Sequence, residues 1–507
     1  MRRDIEALKS DQFDIVVVGA GIHGACAARD AALRGMKVAL IDKGDLNGAT
    51  SHNSLKTIHG GIRYLQHLDF KRSWQSIKEQ KVWLRTAPHL TKPLPFIMPT
   101  YGHGMRGPLA MFCGVNLFNL LGIGRNRHLR KDRQLPAGKV VGRNTCLEKA
   151  PTTKPENLTG GATWYDAQIE QADQAVLQIC QQTTELGGVV ANYVRAGKIR
   201  LDGNQKIEQI ELQDELTGEK FTIAARSVLN AAGPWAANYL QGLDSAAISH
   251  QGMALTKSMN LVVNRPAPEF AQAAQSKLVS DSKVGHTKRL YFMVPWQTHT
   301  MFGTTHFPFN GDLNNAGATD AEVKAFVDEI NQAFPGYNLE INEVSYCYHG
   351  LTPAEEEDGG SSRARHSRIV VHDIHGLVSM ISVKWTTARL VAKKAVDAIA
   401  KQLGISKPCT TDVVAIEDSF DLPNTFGELD ESKLETLIEH HVEHTMCLTL
   451  VDLLTRRTDD LALNKLDADA LIKIAKVMAK VMSWSNSEIL SQFDRLSKIW
   501  LPIELRP

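Results

Sequence analysis

Residues 14–43 read DIVVVGAGIHGACAARDAALRGMKVALIDK, and few folds accommodate that order of residues. Ile15-Val16-Val17-Val18 is a continuous β-branched run, the pattern of a strand buried on both faces. Gly19-Ala-Gly21-Ile-His-Gly24 follows with the G-x-G-x-x-G spacing. Gly19 permits a tight turn, Gly21 lets the backbone approach a pyrophosphate, and Gly24 lets the next helix sit against the strand. A small-residue helix over 25–34 ends at Gly35. Residues 37–41 form a second strand, and Asp42 stands at its tip, where a carboxylate accepts hydrogen bonds from an adenosine ribose. Strand, glycine turn, helix, strand and acid in that order predict a βαβ dinucleotide site rather than a Gly-rich structural turn. The motif alone leaves FAD and NAD open.

A chain of 507 residues has room for two or three domains. With 43% hydrophobic and 22% charged residues it has the composition of a globular protein with a large core. A formal net charge of +1 offers no electrostatic footprint for nucleic acid. The seven cysteines are scattered and form no C-x-x-C. They indicate neither a zinc site nor a disulfide framework and fit a reducing, cytoplasmic compartment. The opening MRRDIEALKSDQFD lacks the apolar centre of a secretory signal and reads as a short polar helix.

Residues 43–65 are rich in Gly, Ser and Thr and too long for an ordinary connection. Thr50, Ser51 and Ser54 can donate to phosphate or flavin, and Lys56 adds positive charge; a solvated loop is the alternative. Residues 70–90 have helical apolar spacing, and the prolines of 91–99 predict extended backbone. The most apolar stretch is 108–123, PLAMFCGVNLFNLLGI, bounded by Arg106 before it and by Arg125 and Arg127 after it. It is too short to span a bilayer as a helix, which leaves a helix lying in one leaflet or a buried core helix. A helix is expected within 160–188, a strand over 189–194 and a turn-rich hairpin over 199–223. Residues 226–235, RSVLNAAGPW, run an apolar strand into Gly233, and Pro234 can open a helix. Short β-runs within 253–305 predict an antiparallel sheet, 322–334 a helix, and 354–368 a charged loop. Thr386 and Thr387 stand where a helix reaching about Leu403 should begin, with free amides and partial positive charge at its N-terminus. From Asp430 onward the pattern is mainly helical. His440 and His444 share a helix face, but without H-E-x-x-H they read as a packed or solvated face, not a metal site.

The segments GAGIHGACAARDAALRG, ATSHNSLKTIHGGIRYLQ, APHLTKPLPFIMP and NAAGPW together resemble the FAD-dependent glycerol-3-phosphate dehydrogenase family. The resemblance extends over essentially the whole chain. It implies FAD, because N-A-x-G-P-W belongs to flavoproteins with two dinucleotide-domain segments. It implies that Thr50, Ser51, Lys56, His59, Gly60 and Gly61 lie along the flavin and that Gly233 brings the backbone close to it. It implies further that Val194 offers an amide to adenine, that Thr386 opens a helix aimed at the flavin, and that Lys384 adds a full charge there. Arg63 and Tyr64 are implied to face the substrate. The implied fold is α/β: a Rossmann-like FAD-binding domain (1–90, 151–250, 346–405), an antiparallel β substrate domain (251–345) and a C-terminal helical domain (406–507). Residues 91–150 are expected as a cap or membrane-facing insertion.

Three substrate-side positions depart from the family. Its G-V-R-P arginine, which binds the substrate phosphate, is Thr352 here, and a threonine makes no bidentate charged contact. Its K-G-S-H-I-V-V histidine is Asn260, which cannot serve as a base near neutral pH. Its glycine pair before Lys384 is Ser382-Val383. His306 and His349 are candidates for a relocated base, with His349 assigned here; the alternative is that each merely packs or hydrogen-bonds. The expected activity is oxidation of a CH–OH substrate to a ketone by hydride transfer to flavin N5: glycerol-3-phosphate to dihydroxyacetone phosphate, with electrons passed to quinone. An oxidase or dehydrogenase of an amino acid or hydroxy acid, and a non-catalytic flavin-binding protein, are the alternatives. The partners this admits are a small polar substrate, quinone, a membrane surface touched peripherally and a second copy in a homodimer. Metal and nucleic acid are not expected.

Overall fold

Ile15–Val18 forms a strand buried at every position, as its unbroken apolar run requires. It pairs in parallel with Val38–Ile41 on one side and Val228–Asn230 on the other. Val189–Ala191 and Leu377–Ile381 extend the sheet in parallel, and Arg368–Val371 closes one edge antiparallel. Side-chain alternation then splits the core. Ile15, Val17, Val38 and Leu40 pack on the helices Ile22–Leu33, Ala172–Glu185 and Ala388–Leu403, whose alanines allow close approach. Val16, Val18, Ala39 and Ile41 pack on the opposite side against Ile210, Leu212 and Ile223.

Those last residues belong to a four-stranded sheet of Gln12–Phe13, Lys220–Ala225, Ile207–Asp214 and Val194–Leu201. The hairpin expected over 199–223 is thus part of a three-stranded meander. The strand expected over 189–194 ends at Ala191, and a new one starts at Val194. Between them Tyr193 takes a φ of 53° and turns the chain.

This computed structural model describes the whole chain apart from residues 103–106, 242–252, 280–287, 358–359, 419–424, 427–429, 464, 503–504 and 506–507. A ten-stranded sheet is built around Leu255–Pro266, which lies antiparallel between His299–Phe309 and Val344–Glu357. Thr91–Tyr101 joins it despite three prolines, pairing with Leu158–Ile169 and Ala271–Gln272. The segment expected as a charged loop instead continues Val344–Glu357 into a hairpin with Gly360–Arg363. Its charges hide the strand from any apolar alternation. One face of this sheet carries Met259, Leu261 and Phe302 against the helix Asp320–Ala333. The opposite face carries Val262, Met301, Tyr346 and Tyr348 against the C-terminal helices Glu431–Thr445 and Ala468–Met482. The α/β core, antiparallel sheet and helical C-terminal region follow the fold class that the sequence implies.

The apolar stretch at 108–123 forms the helix Pro108–Leu121, in which only Val115 and Phe118 are buried. Leu109, Phe112, Leu120 and the following Ile123 are exposed, at 77%, 55%, 62% and 76%. This excludes a fully buried core helix. Of the flanking arginines, Arg125 is buried and donates to the Pro136 carbonyl at 2.6 Å, Arg127 is exposed, and Arg106 lies outside the described residues. No helix among the described residues is long and apolar enough to cross a membrane.

Candidate active site

The dinucleotide turn and the ten-stranded sheet face one another across a cavity of about 1260 Å³. That exceeds the roughly 300–1,000 Å³ of ordinary small-molecule pockets and leaves room for a dinucleotide with substrate. At its floor, Gly19 has a φ of +106°, and a Cβ there would lie 2.5 Å from the Ala231 carbonyl oxygen. A Cβ on Gly24 would lie 1.8 Å from the Gly19 carbonyl oxygen. The glycines thus bring strand, turn and helix into backbone contact. The Ile22 amide at the helix start donates to Ser51 Oγ at 3.1 Å. Asp42 is oriented by the amides of Ala20 (2.7 Å, to Oδ2) and Gly44 (2.9 Å, to Oδ1).

Several buried polar atoms of cavity-lining residues have no hydrogen-bond partner among the described residues. Four of them are His23 Nε2, Ser54 Oγ, Ser382 Oγ and Trp385 Nε1. Such atoms are costly to leave unsatisfied and call for a polar ligand running the length of the cavity. The glycine cradle, the acid at the strand tip and these four groups fit FAD.

At the substrate end, Lys384 Nζ lies 4.1 Å from the centre of the Tyr64 ring, and the Arg72 guanidinium carbon is also 4.1 Å from it. Arg63 sits beside them, accessible within the cavity yet surrounded by protein. Desolvation and Arg72 lower its pKa, partly offset by Tyr64. It makes no hydrogen bond or ion pair to any described residue. Opposite, the ten-stranded sheet presents a polar cluster. Ser258 Oγ is 2.8 Å from His306 Nδ1 and 3.0 Å from Thr352 Oγ1. Asn260 donates to Asn53 Oδ1 at 2.8 Å and accepts from the Thr304 hydroxyl at 2.8 Å.

A family model described as FAD-dependent oxidoreductase matches residues 14–397. The chain belongs to the FAD-dependent oxidoreductase family. Over 459 residues it is 30% identical to a glycerol-3-phosphate dehydrogenase of Synechocystis sp., a match covering 88% of this chain and 80% of that one. It is 28% identical over 415 residues to the aerobic glycerol-3-phosphate dehydrogenase of Staphylococcus aureus, covering 81% and 72%. The solved structure of glycerol-3-phosphate dehydrogenase from Bacillus halodurans, complexed with FAD, aligns with a TM-score of 0.74 at 23% identity, over 98% of this chain and 97% of that one. This FAD-dependent oxidoreductase is therefore an enzyme of the glycerol-3-phosphate dehydrogenase type, and FAD is its cofactor.

Of the site residues expected from sequence, Gly19, Gly21, Gly24, Asp42, Thr50, Ser51, His59, Gly61, Arg63, Tyr64, Val194, Gly233, Lys384 and Thr386 line the oxidoreductase cavity. Four details need correction. Lys56 is buried away from the cavity, with Nζ 3.4 Å from Asp173 and 4.6 Å from the Tyr348 ring centre. Asp173 also takes His52 and Asn47, so Lys56 braces the loop from behind. Gly60 does not line the cavity. Its amide donates to Asp166 at 2.5 Å, and a Cβ there would lie 2.7 Å from Phe118. Val194 lines the cavity, but its amide donates to the Asp42 carbonyl oxygen at 2.7 Å and is not offered to adenine. His349 is cross-strand to Met259 and so lies on the helix-covered face. Burial there lowers its pKa to about 4. Thr50 lines the cavity, although its hydroxyl proton goes to the Leu351 carbonyl. Asn53, Arg72, Ser258, Thr304 and Arg365 also line it and were not anticipated. For Ser258 the signal was available, since strand alternation places it with Asn260.

Burial raises the Asp42 pKa from 3.8 to about 6, despite the Gly44 and Ala20 amides. Without cofactor, the fold holds this proton across a window in which the unfolded chain has lost it. The group's contribution to stability therefore falls as pH rises from about 4 to about 6. Only the carboxylate accepts two ribose hydroxyls. FAD affinity of the oxidoreductase is accordingly expected to weaken as pH falls through about 6. Asp42→Asn should bind FAD about tenfold more weakly with that pH dependence gone, as read by flavin fluorescence titration.

Proposed function

We propose that this oxidoreductase oxidises the secondary hydroxyl of glycerol-3-phosphate to the ketone of dihydroxyacetone phosphate. The observation that carries the reading is the cationic group of Arg63, Arg72 and Lys384 around Tyr64 at the end of the cofactor cavity. It supplies the dianion site that Thr352 no longer supplies. A charge-assisted contact from Arg63 to phosphate orients the substrate carbon bearing the reacting hydrogen. His306, whose Nδ1 lies 2.8 Å from Ser258 Oγ, lines the cavity and as a neutral imidazole takes the hydroxyl proton. Bound FAD supplies the hydride acceptor. The N-terminal turn of the helix Ala388–Leu403 and Lys384 give that end of the site positive charge, which favours electron arrival.

The test is anaerobic bleaching of the bound flavin by glycerol-3-phosphate. Bleaching by an amino acid or hydroxy acid, without bleaching by glycerol-3-phosphate, would replace the substrate and keep the chemistry. That second reading draws on the neutral Ser258–Thr352–Asn260 cluster and on the ability of Arg63 to hold a carboxylate as well as a phosphate. Arg63→Met is expected to raise KM for the anionic substrate about 10- to 100-fold with a smaller change in kcat, equivalent to about 1.4–2.7 kcal/mol. A substrate lacking the anion should show no such penalty.

Peripheral attachment to a membrane, with quinone as electron acceptor, fits the helix Pro108–Leu121. Its outer face exposes Leu109, Phe112 and Leu120, while Phe118 on its inner face packs on Gly60 beside the flavin loop. Leu68, Phe70 and Trp74 are also exposed on the neighbouring segment. Burying one such side chain contributes roughly 1.5–3 kcal/mol. Leu109→Asp with Phe112→Asp is therefore expected to lower vesicle co-sedimentation more than tenfold and slow quinone reduction, while anaerobic flavin reduction is unchanged.

A further inference from the structure

The loop that orients Asp42 is held from the far end of the chain. Three residues beyond Asp42, the buried Asp45 carboxylate receives Arg456 Nε at 2.6 Å and Arg457 Nη1 and Nη2 at 2.8 and 2.9 Å. Asn192 Nδ2 adds a fourth donor at 3.1 Å. Both arginines come from a π-helical turn, Leu453–Arg457, in the C-terminal helical region. Arg456 also donates to Asp452 at 2.8 Å, and Asp452 accepts the Tyr193 hydroxyl at 2.8 Å. Two guanidinium groups thus meet two carboxylates out of water. Burial by itself would raise the Asp45 pKa, but Arg457 and Arg456 outweigh it and hold the carboxyl below its ordinary range.

Buried ion pairs are a poor source of net stability, because desolvation cancels most of the attraction. The C-terminal helices do not need them for attachment, since Tyr346, Tyr348 and Trp296 already pack against that region's leucines. What four fully satisfied buried charges provide is a fixed geometry. Asp45 lies between Gly44, whose amide orients Asp42, and Ser51, whose hydroxyl meets the Ile22 amide. Arg456 itself reaches the wall of the cofactor cavity beside Asp45 and Gly48.

We propose that the C-terminal helical region is part of the FAD-binding unit, with Arg456 and Arg457 acting through Asp45 as positioning residues that hold the cofactor loop and set the rate at which FAD leaves. A loosened clasp frees the loop to open, and FAD escapes without any change in the groups that touch the substrate.

The experiment loads the full-length protein with FAD and follows flavin release by fluorescence after dilution. Arg456→Gln and Asp45→Asn are expected to release FAD at least tenfold faster than the parent and to shrink the rise in Tm that FAD produces. Arg456→Lys should recover part of both effects. Leu471→Ala, a core change in the helix Ala468–Met482 of the same region, which carries none of the clasp residues, should lower the apoprotein Tm and leave the release rate within twofold. Unchanged release in Arg456→Gln, or release as fast in Leu471→Ala, overturns the proposal and makes the cluster a structural joint only. If the charge-removing variants do not fold, Tyr193→Phe decides, because it removes one hydroxyl from Asp452. Release accelerated several-fold supports the clasp, and release at the parent rate overturns it.

Discussion

Gly24→Val is expected to give a folded protein that purifies without flavin. A Cβ at this position falls 1.8 Å from the Gly19 carbonyl oxygen and 3.0 Å from its carbon, both backbone atoms with no rotamer to yield. Relief requires the helix Ile22–Leu33 to move away from the turn by more than an ångström. Overpacking of this kind costs roughly 1–3 kcal/mol, which a chain with about 5–15 kcal/mol of stability survives. The cofactor site does not survive it. The helix N-terminus shifts relative to Asp42, and the Ile22–Ser51 contact at 3.1 Å is lost. Loss of bound FAD then removes ligand stabilisation, about 2.7 kcal/mol for each hundredfold excess over Kd. Gly35→Ala supplies the contrast. Gly35 also has positive φ, +79°, but a Cβ there meets nothing within 4 Å. It should cost roughly 1–2 kcal/mol of backbone strain and keep its flavin. Visible absorbance and Tm of the two variants check both statements; a yellow Gly24→Val protein would show that the turn tolerates the shift.

That site was legible because its determinants are local. Strand, turn, helix and acid lie within about thirty residues; Gly24 meets backbone of the motif itself and Gly19 meets backbone of NAAGPW, while Gly21 faces the Ser51 side chain. The errors lie where the partner is distant. Lys56 carries a charge suited to phosphate, but Asp173, 117 residues away, captures it, and Tyr348 lies against it from the ten-stranded sheet. Gly60 looked like a flavin glycine, yet its missing side chain makes room for Phe118 of the apolar helix. Tyr193 interrupts the strand that would have carried the Val194 amide to adenine, and the amide closes on Asp42 instead. Nothing in residues 43–56 announces that Arg456 and Arg457 will meet Asp45 across about 411 positions.

His306→Gln is expected to lower kcat for the hydroxyl substrate about 100- to 1,000-fold, whereas His349→Gln should change it less than threefold. The sequence assigns the base to His349, with His306 as the other candidate, and strand register separates the two. Ser258 pairs with His306 on one neighbour and with Gly350 on the other, so His306 shares the cavity face with Ser258, Asn260 and Thr352. His349 pairs with Met259, one residue out of phase, and looks toward Lys257, Glu322 and the helix Asp320–Ala333. Removing a positioned general base typically costs 10²–10⁴ in rate, and ΔΔG‡ of about 2.7–4 kcal/mol corresponds to the lower part of that range. Only neutral imidazole accepts a proton, so the parent rate should fall toward acid pH and the His306→Gln rate should not. His349 does not carry that pH limb, because burial keeps it neutral down to about pH 4. Ser258→Ala should act more mildly, about tenfold, since the ring keeps its place on the strand but loses the 2.8 Å partner that fixes which nitrogen is protonated. Anaerobic flavin reduction followed across pH reads all three variants. A flat parent profile, or a His349→Gln defect larger than that of His306→Gln, would return the proton-accepting role to another group of the cavity and leave the cationic end around Tyr64 as the main determinant of the substrate.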